Sequence, residues 1–280
     1  MTNLTDQALN VIEKGFLIPP KPAILEQLQQ LASASAPSLE EIGQLVATDV
    51  GLSSAILKAI NSPFFGMSRS ISDVKQAVFF LGAANILNLV TAEKLRQALS
   101  GKSSISLERF WDTASDIASA MLYIGRRSPN PVPLEDLHAI GLFHDAGIAA
   151  MALKYSDYRD TLAQSNAATG DRLTVVEEQK YNTNHTVVGY YLASSWQLPR
   201  QICDCVLNHH ELDYLESPRN DDAHKVNFAI LKIAESTVEK IRRFHESKDW
   251  PYIGEHAMEY LGFTPADLAD IEEDLTEMLP

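Results

Sequence analysis

Five side chains of metal-ligating type fall in one middle stretch of the chain: His144, Asp145, His185, His209 and His210. Imidazole nitrogens and a carboxylate together suit a divalent transition metal, and an aspartate with two free oxygens can bridge a pair of such ions. His144-Asp145 closes the apolar run Ala139-Ile-Gly-Leu-Phe143 and is flanked by Gly141 and Gly147. A charged pair there is costly to bury unless it ligates a cation or pairs with another group. His185 follows the polar Tyr181-Asn-Thr-Asn184 and opens an apolar helix through Val187, Val188, Tyr191 and Leu192, while His209-His210-Glu211 ends the helix that begins near Pro199. Side chains from several helices can converge at helix ends, so three imidazoles and one carboxylate could complete a site. A second reading has these histidines interacting with the last helix carbonyls, or lying on the surface. His138, His224, His245 and His256 lie outside any obvious pairing in the sequence and read as structural.

The elements that must position these residues are helices. Leu52, Ala55, Ile56, Ala59 and Ile60 recur at the helical period and line one face. Ser38-Leu-Glu-Glu41 pairs a capping hydroxyl with a glutamate three residues on and predicts a helix over 39–47. The Pro-rich break Ile18-Pro-Pro-Lys-Pro22 precedes a helix carrying Leu25, Leu28 and Leu31, and Asn61-Ser-Pro-Phe-Phe-Gly66 reads as a turn. The apolar stretch from Ala77 to Ala92 contains Asn85 and Asn88, is shorter than the ~20 residues that cross a bilayer, and reads as a buried helix. No strand pattern and no internal repeat emerge, so the predicted fold class is all-α, a two-lobed helical bundle. The N-terminal lobe covers 1–104, ending in the polar connector Ser100 to Ser104, and a second lobe over 105–245 carries the candidate site. Ser128 to Pro133 and Ser217 to Asp222 are loops within it, and the acidic stretch 246–280 reads as a solvated helical extension rather than a site.

Composition narrows the function. With 45% apolar residues in 280, the chain can bury about 75% of its unfolded surface and needs no disulfide or metal merely to fold. The balance of 23 basic against 37 acidic residues, −14, argues against direct binding of nucleic acid or an anionic membrane. Cys203 and Cys205, two apart on one helix, point to different faces; with no export segment before Glu13, the expected compartment is a reducing cytoplasm.

The blocks Phe16-Leu-Ile-Pro-Pro-Lys-Pro22, Ala47-Thr-Asp-Val-Gly-Leu52, Leu57-Lys-Ala-Ile-Asn-Ser-Pro-Phe-Phe-Gly66, Ile71 to Gly82, Phe110-Trp111, Gly141-Leu-Phe-His-Asp-Ala-Gly147, and His185 leading to Trp196-Gln-Leu-Pro199 resemble the HDOD family over residues 15 to 212. That family comprises bacterial signalling modules related to HD phosphohydrolases and to HD-GYP enzymes that cleave cyclic di-GMP. The resemblance implies an HD-type bundle in the second lobe, with His144-Asp145 as the metal-binding pair and His185, His209 and His210 as the histidines that binuclear relatives add. It also exposes departures. Thr113 stands where the enzymes carry their first histidine, Glu235 where they carry a final aspartate, and Ile148 where HD-GYP enzymes often carry a lysine; the GYP signature is absent. A threonine hydroxyl is a poor transition-metal ligand, and the missing lysine removes a partner for phosphate.

These features predict a signalling output or scaffold module that acts through signalling proteins, with no receiver, kinase or cyclase segment attached and no robust catalysis. An alternative is a metal-dependent phosphohydrolase or phosphodiesterase acting on a phosphate ester or nucleotide, with Fe, Mn, Zn or Ni in the site and Asp145 or Glu235 as proton acceptor. A third is a metal-stabilised scaffold that senses metal or nucleotide without turnover.

Overall fold

The computed structural model describes residues 16, 19–65, 69–167, 173–218 and 221–279. The expectations for the N-terminal residues, for Leu17 and Ile18 of the Pro-rich break, for Gly66 of the turn and for Arg219 and Asn220 of the later loop lie outside the described residues. The described residues are helical and contain no strand, as the periodicity predicts. They fall into two compact units, one over Pro19–Ala98 and the other over the residues from Leu99 onward together with Phe16.

The first unit, Pro19–Ala98, holds α1 (Ala23–Ala32), α2 (Leu39–Ala47), α3 (Val50–Ile60) and α4 (Val74–Ala98). Pro22 precedes α1 at φ −64°, and Ser38 accepts a hydrogen bond from the Glu41 N–H at the start of α2. Asp49 caps α3 by accepting from the Leu52 N–H and also holds Lys94 of α4 at 2.5 Å. Leu25, Leu28, Ile42, Val46, Leu52, Ile56, Ile60, Val78, Ile86 and Val90 form the core. The stretch predicted as one buried helix is broken: Gly82 sits at φ 78° inside α4, a conformation glycine adopts without strain, and the neighbouring Phe79 and Phe80 are 61% and 56% exposed. By length and composition alone α4 would suffice to cross a membrane, but that break interrupts it and 44% of its most apolar window is buried within the protein.

Asn61 closes the turn after α3, its amide donating to the Ile71 carbonyl and accepting from the Ile71 N–H, each at 2.7 Å. Asn61→Ala removes both bonds at once and leaves a part-buried N–H and carbonyl without them. We expect a loss of about 1–2 kcal/mol, read as a lower urea midpoint with an unchanged slope.

The second unit runs from Leu99 and contains α5 (Leu107–Arg127), α6 (Leu134–Phe143), α7 (Ala146–Lys154), α8 (Tyr158–Ala167), α9 (Leu173–Tyr181), α10 (His185–Ser195), α11 (Arg200–Asn208), α12 (Asp222–Arg243), α13 (Trp250–Leu261) and α14 (Pro265–Met278). Ser106, Asn184, Asp221 and Thr264 each accept a backbone N–H in the first turn of the helix they precede, so polar side chains set these boundaries. α5 packs on α6 and α12, α7 on α10, α10 on α11, and α12 on α13. Cys203 and Cys205 are free and buried.

The segment beyond Phe244 differs from its solvated reading. Phe244 ends α12 in the left-handed region at φ 61°, and α13 and α14 follow with Ile253, Ala257, Leu261, Ile271 and Leu275 buried. Asp249, just before α13, is 6% exposed. Periodic apolar residues within an acidic composition explain the difference, because net charge does not report which face of a helix is buried.

Candidate metal centre

Two short junctions build the centre. His144 is the residue after α6 and Asp145 the residue before α7, so the pair occupies the turn between two apolar helices. The Asp145 side chain caps nothing, which leaves both of its oxygens for other contacts. α7 then meets α10 almost backbone to backbone: a Cβ on Gly147 would lie 1.8 Å from the His185 carbonyl oxygen and 2.9 Å from the Gly189 nitrogen. Only glycine permits this approach, and it brings Asp145 beside His185 at the start of α10. His209 follows α11 directly, with His210 next in the chain.

Each imidazole is oriented through Nδ1. His144 Nδ1–H donates to the Gly141 carbonyl at 2.9 Å and His209 Nδ1–H to the Val206 carbonyl at 2.8 Å. A carbonyl only accepts, so both rings carry the proton on Nδ1 and turn Nε2 toward the cluster. His185 Nδ1 bonds Glu177 Oε2 at 2.7 Å, and His210 Nδ1 bonds Asp249 Oδ2 at 2.6 Å. This pattern, with one ring nitrogen held by a carboxylate or carbonyl and the other turned toward the neighbouring ligating groups, is the usual arrangement of metal-ligating histidines.

The second nitrogens converge. His185 Nε2 and His210 Nε2 are 3.1 Å apart, and Asp145 Oδ1 lies 3.2 Å from His209 Nε2 and 3.5 Å from His185 Nε2. One atom from each of Asp145, His185, His209 and His210 lies within 4.8 Å of all the others. Two atoms bound at about 2.1 Å to one tetrahedral ion lie about 3.4 Å apart, so closure on an ion requires the widest pair to approach by up to about 1.4 Å. Asp145 Oδ1 and His209 Nε2 are buried and make no hydrogen bond. Buried acceptors facing one another without a donor are costly, and a cation between them removes that cost. The donor set therefore fits a divalent transition ion.

The remaining sequence candidates lie around this group. His144 Nε2 is 3.4 Å from both Asp145 Oδ2 and Glu235 Oε1. Glu235 is on α12, where its Oε2 accepts from Lys232 at 2.8 Å, and it stands outside the four-residue cluster. Thr113 contributes no contact to the centre among the described residues; its hydroxyl donates to the Arg109 carbonyl of its own helix at 3.0 Å.

Three supporting residues escaped sequence reading. Glu177 is fully buried and accepts from the His185 backbone N–H at 3.0 Å, from His185 Nδ1 and from the Tyr158 hydroxyl. Lys232, 1% exposed, donates to Glu235 and, at 3.0 Å, to Asp249. Asp249 thereby joins Lys232 to His210. The one local signal was the lysine and glutamate three apart on an otherwise apolar face of α12.

The fields of these groups act on the imidazoles. Burial pushes His209 down to about 3, with the neighbouring His210 adding to the effect, so its ring is neutral. Burial also lowers His210. At His185 burial opposes protonation, but the Glu177 carboxylate outweighs it and raises the ring above the usual value. His144 is raised to about 9: burial disfavours its charge, and Asp145 and then Glu235 overcome that penalty. Asp145 is held well below the usual carboxylate range, its own desolvation being outweighed by His144 and His209. Asp249 is lowered likewise, with Lys232 and His210 overcoming its burial.

Known proteins share this architecture. The crystal structure of an HDOD domain protein of unknown function from Geobacter sulfurreducens matches with a TM-score of 0.65 and 22% identity over 97% of both chains. A Shewanella amazonensis SB2B protein named as a candidate metal-dependent phosphohydrolase matches with a TM-score of 0.69 and 16% identity, covering 97% of this chain and 96% of that one. Such identities establish the fold alone. An uncharacterized protein of Treponema pallidum (strain Nichols) is 24% identical over 232 residues; the match takes in 83% of this chain and 45% of that protein, so the chain spans less than half of that relative's length. The HDOD domain family model matches residues 18–212, across both units and through the His209-His210 pair, and the chain belongs to the HDOD family.

Proposed function

We propose that the chain is a signal-transduction module of the HDOD type, an output or scaffold unit whose helical bundle closes around a divalent transition ion and which sustains no robust catalysis. The observation that carries this reading is a well-supported set of four ligands in surroundings hostile to a phosphate. A bound ion would supply a Lewis acid and, in a hydrolase, a water of lowered pKa. Phosphoryl transfer also draws on cations that stabilise the phosphoryl oxygens. Lys232, beside the cluster, is 1% exposed and engaged by Glu235 and Asp249, and Ile148 follows Gly147 where a lysine would help. Glu177, Glu235 and Asp249 surround the ligands with acceptors of the same sign as the substrate. Such a module works through signalling proteins, which fits its −14 charge better than nucleic acid does.

A metal-dependent phosphohydrolase acting on a phosphate ester or nucleotide is the second reading. It is favoured by the exposure of two ligands, 29% for the Asp145 side chain and 25% for His210, which leaves the cluster reachable from solvent. Asp145 or Glu235 would then accept the proton.

Metal content by mass spectrometry on untagged protein, compared with a His209→Ala, His210→Ala double variant, tests the centre. The expected result is a stoichiometric transition ion in the wild type that is lost in the variant. Turnover of a phosphoester panel by the metal-loaded wild type, abolished in the variant, would replace the first reading with the second.

A further inference from the structure

Beside the four-ligand cluster lies a second, open group of donors. Asp145 offers Oδ1 to His185 and His209 but Oδ2 to His144, and His144 Nε2 stands at 3.4 Å from Glu235 Oε1. A second ion could bind there only with Glu235 free to turn toward it. Glu235 is not free. Lys232, one helical turn earlier on α12, directs its ammonium at Glu235 Oε2 at 2.8 Å and at Asp249 Oδ2 at 3.0 Å. Lysine is almost never fully buried unless paired, and this one is 1% exposed with two carboxylates as its partners.

The two carboxylates lead to different imidazoles. Glu235 reaches His144, and Asp249 reaches His210 at 2.6 Å. The ammonium thus lies where it orients both sides of the centre, as a cation between two anions, and it repels any further cation brought to Glu235. Thr113, hydrogen-bonded within its own helix, supplies no ligand to offset that repulsion.

We propose that the centre takes a single divalent ion, at Asp145, His185, His209 and His210, and that the Lys232 ammonium serves as its permanent second cation, holding Glu235 and Asp249 in place of a second metal. This rests on the metal-centre reading above and deepens it: the chain is restricted to one-ion chemistry or one-ion sensing.

The test is ion stoichiometry on the full chain, stripped with chelator, reloaded with excess Mn²⁺ or Zn²⁺, freed of unbound ion and measured by native and elemental mass spectrometry. The expected values are one ion per chain for the wild type, one for Glu235→Gln, and none for the His209→Ala, His210→Ala double variant. Lys232→Ala, which opens space and leaves two uncompensated carboxylates, is expected to take two ions and to gain more thermal stability from metal than the wild type does. Two ions in the wild type, one of them lost in Glu235→Gln, would overturn the proposal while leaving the metal centre standing. No ion in the wild type would instead overturn the metal-centre reading beneath it. A folded Lys232→Ala that still binds one ion would remove Lys232 from the role of second cation. If Lys232→Ala does not fold, Lys232→Met, which keeps the length of the side chain and removes its charge, is read in its place, with one ion again removing Lys232 from that role.

Discussion

Replacing Gly147 by alanine will destabilise the second unit and is expected to abolish metal binding at the proposed centre, although the change adds one methyl group. Two opposing effects set the sign. Alanine inside a helix is favoured over glycine by about 1 kcal/mol, so on propensity alone the variant would gain. The added Cβ, however, would sit 1.8 Å from the His185 carbonyl oxygen and 2.7 Å from its carbon, and neither backbone atom can rotate away as a side chain would. Overpacking of this kind costs about 3 kcal/mol or more when helices must separate, so the clash wins by at least about 2 kcal/mol. The expected fall in Tm is about 4–8 °C, together with a metal content well below one ion per chain, because moving α7 from α10 carries Asp145 away from His185. Gly51 provides the control. A Cβ there meets only Asp49 Oδ1 at 3.5 Å, so Gly51→Ala is expected to leave both stability and metal content intact. Equal melting of the Gly147→Ala protein and the wild type would show that the two helices yield freely and that the close approach does not position the site.

The second large effect is expected at Glu177, which does not touch the cluster atoms. Its carboxylate receives three donors, the Tyr158 hydroxyl, the His185 N–H and the His185 Nδ1–H, and is fully buried. Glu177→Gln keeps the shape but replaces a charged double acceptor by one neutral oxygen and an amide that donates, so with the oxygen turned to His185 the Tyr158 hydroxyl must give up its donor role there. That mismatch costs about 1–3 kcal/mol. The larger consequence is for metal binding: with the negative charge gone, the His185 ring loses the field that raises its basicity and keeps at most a neutral acceptor at Nδ1. Loss of such a partner typically weakens metal binding by about 10–100-fold. A chelator-competition titration measures the affinity, and circular dichroism confirms that the fold survives. An unchanged affinity in a folded variant would mean that Glu177 serves packing alone.

Much of this architecture could be read from residue order. The helix over 39–47 and its Ser38 cap depend on contacts within four residues, so local spacing determined them, and the structure reproduces the same bounds. The four candidate ligands could be picked out for a similar reason: imidazoles and a carboxylate beside apolar helix ends are costly unless something pairs with them, which marks them as candidates before any fold is known. The family blocks added the order of those ends along the chain.

What only the tertiary structure decided are the partners of these candidate ligands. Glu177 precedes His185 by eight residues, Asp249 follows His210 by thirty-nine, and Lys232 meets Asp249 across seventeen. None of these spacings is a period of helix or strand, so no local rule joins them. In sequence, Asp249 is one more acid in an acidic stretch; it becomes a buried support for His210 because α13 packs against α12 and carries it inward. The break at Gly82 was hidden likewise, since an apolar run reads as a continuous helix until backbone conformation interrupts it. Composition and periodicity determined that the chain is helical and which side chains could ligate. Which second carboxylate or ammonium stands behind each ligand depends on packing between helices distant in sequence, and there the folded chain alone holds the information.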